Sequence, residues 1–256
     1  MSTAPNYKKA DMTLVTYEDV ASIGKQYFQI QQTRIAANNR LKHLPEYSLA
    51  REYVESTIEK LKAEESYLSG ALTKLFQEIA PPKVLVWQQN TKGIGIHLLA
   101  RLVADVGDPV TATPHWFEGT GAERQLMSGE PYVRTPQQLF RFCGYGAPED
   151  KRRKGMPAED IGKIGRPIAK SVTRLLVESC MKAGSSPYRP VYDAARAKYA
   201  TREGWTLKHQ HNSALRKMAR ALLLDLWLTA QGLDPIYGQG HQPGKYRFGA
   251  WMTNED

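Results

Sequence analysis

Cysteine is nearly absent from this chain: Cys143 and Cys180 are the only two, far apart and without paired neighbours. That excludes a disulfide framework and a cysteine zinc site, and it suits a reducing compartment. Long hydrophobic runs are missing too. No run approaches the roughly eighteen apolar residues of a membrane span, and the opening MSTAPNYKKADMTL lacks the apolar core of a signal peptide. The expected location is therefore cytoplasmic, with no membrane partner. Strand-turn-strand patterns are lacking as well, so the expected fold class is mainly α. Histidine is scarce, and His209 and His211 are two apart, which on a helix turns them to different faces. Asp105 with Asp108, and Glu159 with Asp160, are the sort of carboxylate pair that ordinary surfaces carry. No metal site, no catalytic residue and no cofactor is expected.

What the chain has is positive charge, placed unevenly. Its 256 residues carry a formal net charge of +9. Residues 1–79 hold 10 Lys/Arg and 10 Asp/Glu, while residues 80–256 hold 25 and 16, so the whole excess lies in the second part. A basic block favours a polyanionic partner and makes binding salt dependent.

Residues 1–15 are expected to be a flexible N-terminus, and residues 16–80 a helical hairpin or coiled coil. Val20, Ile23, Tyr27, Ile30, Arg34, Ala37, Leu41 and Leu44 alternate steps of three and four, as do Val54, Ile58, Leu61, Glu65, Leu68, Leu72, Leu75 and Ile79. Only Arg34 and Glu65 interrupt two otherwise apolar seams. HLPEYS at 43–48 breaks the helix, because Pro45 disfavours helix in the residue before it. The pattern serves an antiparallel hairpin within one chain or a dimerising coiled coil equally well, and a homo-oligomer is expected through it.

Residues 81–231 read as a helical domain. APP at 80–82 opens it, and the apolar run Val84 to Trp87 leads into KGIGIHLLARLVADVGD at 92–108. Gly93 and Gly95 would allow positive φ and close backbone approach around Ile94, and a helix from about Ile96 would add its unpaired N–H groups and positive dipole end. Lys92 adds charge, and His97 in the first turn could face nucleic acid. Residues 109–135, rich in proline and glycine, are expected to be an insertion or loop, followed by a helix with Thr135 as N-cap and Pro136 at its first position. Lys151, Arg152, Arg153 and Lys154 form the strongest local cation cluster, with Lys163 beyond it. A helix from about Pro167 to Ala183 places Ile168, Val172, Leu175, Leu176 and Cys180 on an apolar stripe. It sets Arg166, Lys170 and Arg174 in a row that can follow a phosphate backbone. Ser185 or Ser186 would cap the next helix, with Tyr192 and Tyr199 facing inward. The last helix, about Leu207 to Ala230, buries Leu215, Met218, Ala219, Leu222, Leu223, Leu226 and Trp227 and leaves Arg216, Lys217 and Arg220 outside. Residues 232–256 are expected to be a flexible tail, in which Tyr237, Tyr246, Phe248 and Trp251 stand among Lys245 and Arg247.

In order and spacing, the helical hairpin, KGIG with its helix, FRFCGYGAPEDKRRKG, KIGRPIAKSVTRLL and NSALRKMARALLLDLW resemble the C-terminal portion of DEDD-type, bridge-RNA-guided insertion-sequence transposases. The resemblance covers about residues 16–230, apart from 109–135. It implies a coiled coil, a helix-hairpin-helix DNA-binding segment and a role in DNA recombination and transposition as part of a mobile element. The family's RuvC-like domain with its four metal-binding carboxylates has no counterpart here. Where the family has a catalytic serine before a glycine, this sequence has Lys154 before Gly155. A lysine cannot form the serine phosphoester, so the expected function is nucleic-acid binding without catalysis by the isolated chain. Duplex DNA is the first expected partner and structured RNA the second. The alternatives are a split recombinase subunit that needs a separate nuclease, and a coiled-coil interaction protein.

Overall fold

The computed structural model describes residues 15–120, 123–146, 156 and 165–238. Eight helices and four short strands lie among them. The chain divides into two compact units, residues 1–80 and 81–256.

The first unit is a pair of helices, α1 (Tyr17–Leu41) and α2 (Leu49–Ile79), packed on each other within one chain. Each starts where a side chain can accept from the free amides of its first turn. Thr16 and Asp19 form a reciprocal capping box on α1, and the Ser48 hydroxyl accepts from Arg51 N–H on α2. All sixteen seam positions are buried or half-buried, with Val20 and Leu72 fully enclosed. The seam is therefore satisfied by an antiparallel hairpin. Its two polar members meet: the Arg34 guanidinium pairs with Glu65, and Gln31 Nε2 donates to Glu65 Oε1 at 2.9 Å and to the Tyr27 hydroxyl at 3.0 Å. Arg34 beside it holds the Glu65 carboxyl below its ordinary value, against the opposing effect of burial.

The second unit is organised around its last helix. After α3 (Pro82–Asn90) and α4 (Ile96–Val106) come four strands, then α5 (Pro136–Phe142), α6 (Pro167–Lys182), α7 (Arg189–Ala200) and α8 (Leu207–Ala230). Helices α3, α5, α6 and α7 pack on α8, and α4 packs on α6. Between Ala214 and Thr229, α8 is buried except at Arg216, Lys217, Arg220 and Trp227, which are half-buried. Burial on nearly all sides is what a central helix requires. Each fully enclosed leucine there, such as Leu222 or Leu226, contributes about 1.5–3 kcal/mol through removal from water.

The 109–135 segment is not an irregular loop. Strands β1 (Thr111–Ala112) and β4 (Tyr132–Val133) pair antiparallel, and β2 (His115–Glu118) pairs antiparallel with β3 (Gln125–Ser128) between them. Gly129 N–H donates to Pro114 carbonyl at 2.9 Å, joining the two ribbons into one arm. Proline and glycine mark the joints of this arm, which is why its composition reads as loop.

Four further expectations change. Leu175 is 45 % exposed, because the apolar face of α6 runs instead through Ala169, Val172, Thr173, Leu176, Val177 and Cys180. The N-cap of α7 is Tyr188 rather than a serine, and no side chain caps that end. Arg216 and Arg220 are not turned away from the core. Arg220 donates from Nε to Tyr145 carbonyl (2.8 Å) and from Nη2 to Gly146 carbonyl (2.7 Å), and Arg216 Nη2 also donates to Gly146. Residues 236–238 of the tail are fastened by Asp225: one carboxylate accepts from the backbone N–H groups of Ile236, Tyr237 and Gly238 and from the Tyr188 hydroxyl. Tyr188 in turn accepts from Trp87 Nε1 at 2.9 Å. Burial pushes the Asp225 carboxyl up to about 6, while the Tyr188 hydroxyl and the three amides pull it back.

Candidate nucleic-acid interface

Helices α3 and α4 are joined by the five residues Thr91 to Gly95, so the glycine motif does sit in a turn between two helices. Pro82 occupies the first position of α3, where its missing N–H costs nothing. The chain leaves α3 at Thr91, and Ile94 N–H donates back to Thr91 carbonyl at 3.1 Å. Gln88 Nε2 donates to Ile94 carbonyl at 2.8 Å, and the Ile94 side chain is buried. These contacts fix the loop from inside and leave its outer residues to solvent.

The two glycines have different tasks. Gly93 has φ +100, and a Cβ there would stand 2.5 Å from the Cα of Cys180. The close approach it permits is to α6. Gly95 has φ −73, an ordinary value, and a Cβ there would meet nothing within 4 Å. Gly95 is the exposed N-cap of α4, and no side chain caps the first turn. The N–H groups at that end point along the helix axis with the positive end of its dipole. Lys92 is exposed beside it, and His97 is half-buried in the first turn.

At its other end α4 is tied to α6. Asp105 Oδ2 accepts from Ala169 N–H at 2.8 Å, supplying the cap that α6 lacks from its own N-cap residue, Arg166. Arg166 Nε lies 3.4 Å from Asp105 Oδ1 and stays 60 % exposed. Burial raises the Asp105 carboxyl above its ordinary value, and the Arg166 charge pulls it back. The α6 N-terminus thus already holds an anion from its own chain.

Arg166, Lys170 and Arg174 are all exposed on α6. Lys170 lies over Gly144, and Arg174 is shared between Glu178, 2.7 Å from Nε, and Asn212, whose Oδ1 accepts at 3.2 Å. Lys92 and the α4 N-terminus are at the Cys180 end of α6, while Arg166 is at the far end of α4. The length of α4, roughly 16 Å at 1.5 Å per residue, separates the two. A single small anion cannot reach both, whereas a polymer of phosphates can.

The cluster Lys151, Arg152, Arg153 and Lys154, together with Gly155 and Lys163, lies outside the described residues, as do residues 1–14 and 239–256. Among the described residues no three His, Cys, Asp or Glu side chains gather as a metal site would need, and no helix is long and apolar enough to cross a membrane. His211 is bonded through Nδ1 to the Tyr192 hydroxyl at 2.7 Å. Sequence reasoning missed the Trp87–Tyr188–Asp225 network. Its signal was a lone aspartate inside the apolar run LLLDLW, a position where a carboxylate must find internal donors. No protein-family model matches this chain, and no curated protein does either.

Proposed function

We propose that this chain binds the phosphate backbone of a nucleic acid, duplex DNA first, without itself cutting it. The observation that carries the reading is the exposed, uncapped N-terminus of α4, presented by Gly95 with Lys92 beside it. Helix ends of this kind bind phosphate through backbone amides and the helix dipole. Arg166, Lys170 and Arg174 extend the cationic surface, and the basic cluster 151–154 with Lys163 adds charge from the same unit. Contacts of this type position a polymer without reading its sequence. The resemblance to the transposase C-terminal portion supports the same reading, and Lys154 in place of the serine argues against strand cleavage by this chain alone.

Fluorescence anisotropy against duplex DNA, single-stranded DNA and a structured RNA, at several salt concentrations, tests the proposal. The expected result is tightest binding to duplex, with a steep salt slope. Lys92→Ala should lower the slope by about 0.9, the loss of one phosphate contact on B-DNA. Replacing Lys151 through Lys154 by alanine should flatten it further and by similar amounts for unrelated sequences. No binding at low salt, or a slope unchanged by both variants, would overturn the assignment.

A further inference from the structure

The periodicity noted in α2 accounts for the side that faces α1. The opposite side carries a second periodicity. Leu49, Ser56, Ala63 and Gly70 recur at steps of seven, and so do Tyr53, Lys60, Tyr67 and Lys74, the two sets alternating by three and four. All eight are exposed; Leu49, Tyr53 and Tyr67 are 70, 71 and 66 % accessible. One line of this ridge is short after its first residue, and the other is long throughout. A solvated helix face has no need of this order.

Gly70 sharpens the point. It is mid-helix, its φ is not positive, and a Cβ there would meet nothing within 4 Å. Glycine in a helix interior costs about 1 kcal/mol relative to alanine, and nothing inside the hairpin requires it.

We propose that this face of α2 docks antiparallel on the same face of α2 in a second copy of the chain. In an antiparallel pair each residue of one heptad line faces the other line of the partner helix. Centred between Lys60 and Ala63, the pairing sets Tyr53 over the second copy's Gly70, Tyr67 over its Ser56, Lys60 over its Ala63 and Lys74 over its Leu49. Every layer then holds one long and one short side chain, apart from the terminal Leu49 layer. The symmetry repeats this in the other half, as a two-fold interface requires.

Charge selects the same arrangement. A parallel pair would place Lys60 on Lys60 and Lys74 on Lys74. The antiparallel pair brings Lys60 beside the second copy's Glu64, which is exposed next to the ridge. Among the described residues neither lysine takes an ion pair within its own chain. The seam first suspected of dimerisation is spent inside the hairpin, and the second ridge takes that role independently of nucleic-acid binding.

Sedimentation equilibrium of the full chain, in salt high enough to strip bound nucleic acid, tests this. The wild type should be a dimer. Gly70→Leu, which keeps the helix but fills the notch for Tyr53, should weaken dimerisation by at least about tenfold at unchanged helical circular dichroism. A second measurement fixes the register. In the double variant Tyr53→Cys with Gly70→Cys, the two positions are roughly 25 Å apart along one helix, far beyond disulfide reach. Oxidation should therefore give covalent dimers, while Tyr53→Cys alone gives none; the native cysteines are buried. A monomeric wild type, a Gly70→Leu protein that dimerises undiminished, or cross-linking by Tyr53→Cys alone would each overturn the proposal.

Discussion

Two glycines separated by one isoleucine show how little a residue type says until its surroundings are known. Gly93 needs its missing side chain twice over, for φ +100 and for the Cys180 backbone against it. Gly95 needs it for neither, since it has an ordinary φ and open space around it. Gly93→Ala should therefore destabilise the second unit by about 2–4 kcal/mol, and Gly95→Ala by less than about 1 kcal/mol. Urea unfolding followed by tryptophan fluorescence checks this; equal losses would show that the turn does not rest on α6 as described. The spacing marked both as turn glycines, but it could not say that the neighbour of Gly93 is a residue 87 positions away. The donors to Asp225 were illegible for the same reason, because they come from Tyr188 and from a tail whose composition reads as disordered.

At the scale of elements, the hairpin is held in register by one polar layer. Glu65 lies below its ordinary value of 4.5, chiefly because Arg34 hydrogen-bonds its charged form. A depressed carboxylate stabilises the fold above the unfolded value, and that contribution is lost as pH falls through the folded value. Thermal melts by circular dichroism should show the hairpin losing stability below pH 4.5. In Glu65→Gln the seam should be weaker at neutral pH and lack this acid-dependent loss. An identical acid profile in the variant would mean that Arg34 and Glu65 are not coupled. The helices α1, α2, α4, α6 and α8 were legible because a 3.6-residue apolar period survives in each. The face of α6 was misjudged at Leu175, where a leucine at helical spacing happens to lie outward. The β arm was missed because its strands of two and four residues are too short to show alternation.

Over the whole molecule, the net charge and the tryptophans follow the same division. All five tryptophans, at 87, 116, 205, 227 and 251, belong to the second unit, as does the entire excess of positive charge. Tryptophan fluorescence therefore reports one unit, and far-ultraviolet circular dichroism reports both. In denaturant the two signals should give non-coincident transitions, the mark of departure from two-state unfolding; superimposable curves would show a single cooperative body. The Asp225 carboxylate bears on how the second unit is built during synthesis. Through Tyr188 it links Trp87, near the start of the unit, to Gly238, 151 residues later. Contacts of such sequence separation form slowly because the intervening chain must close first. Until residue 238 has left the ribosome, an aspartate committed to the core has the Tyr188 hydroxyl but no backbone donors, so a nascent chain stalled short of it holds a half-satisfied acid and an exposed face of α8, a substrate for chaperones and proteases.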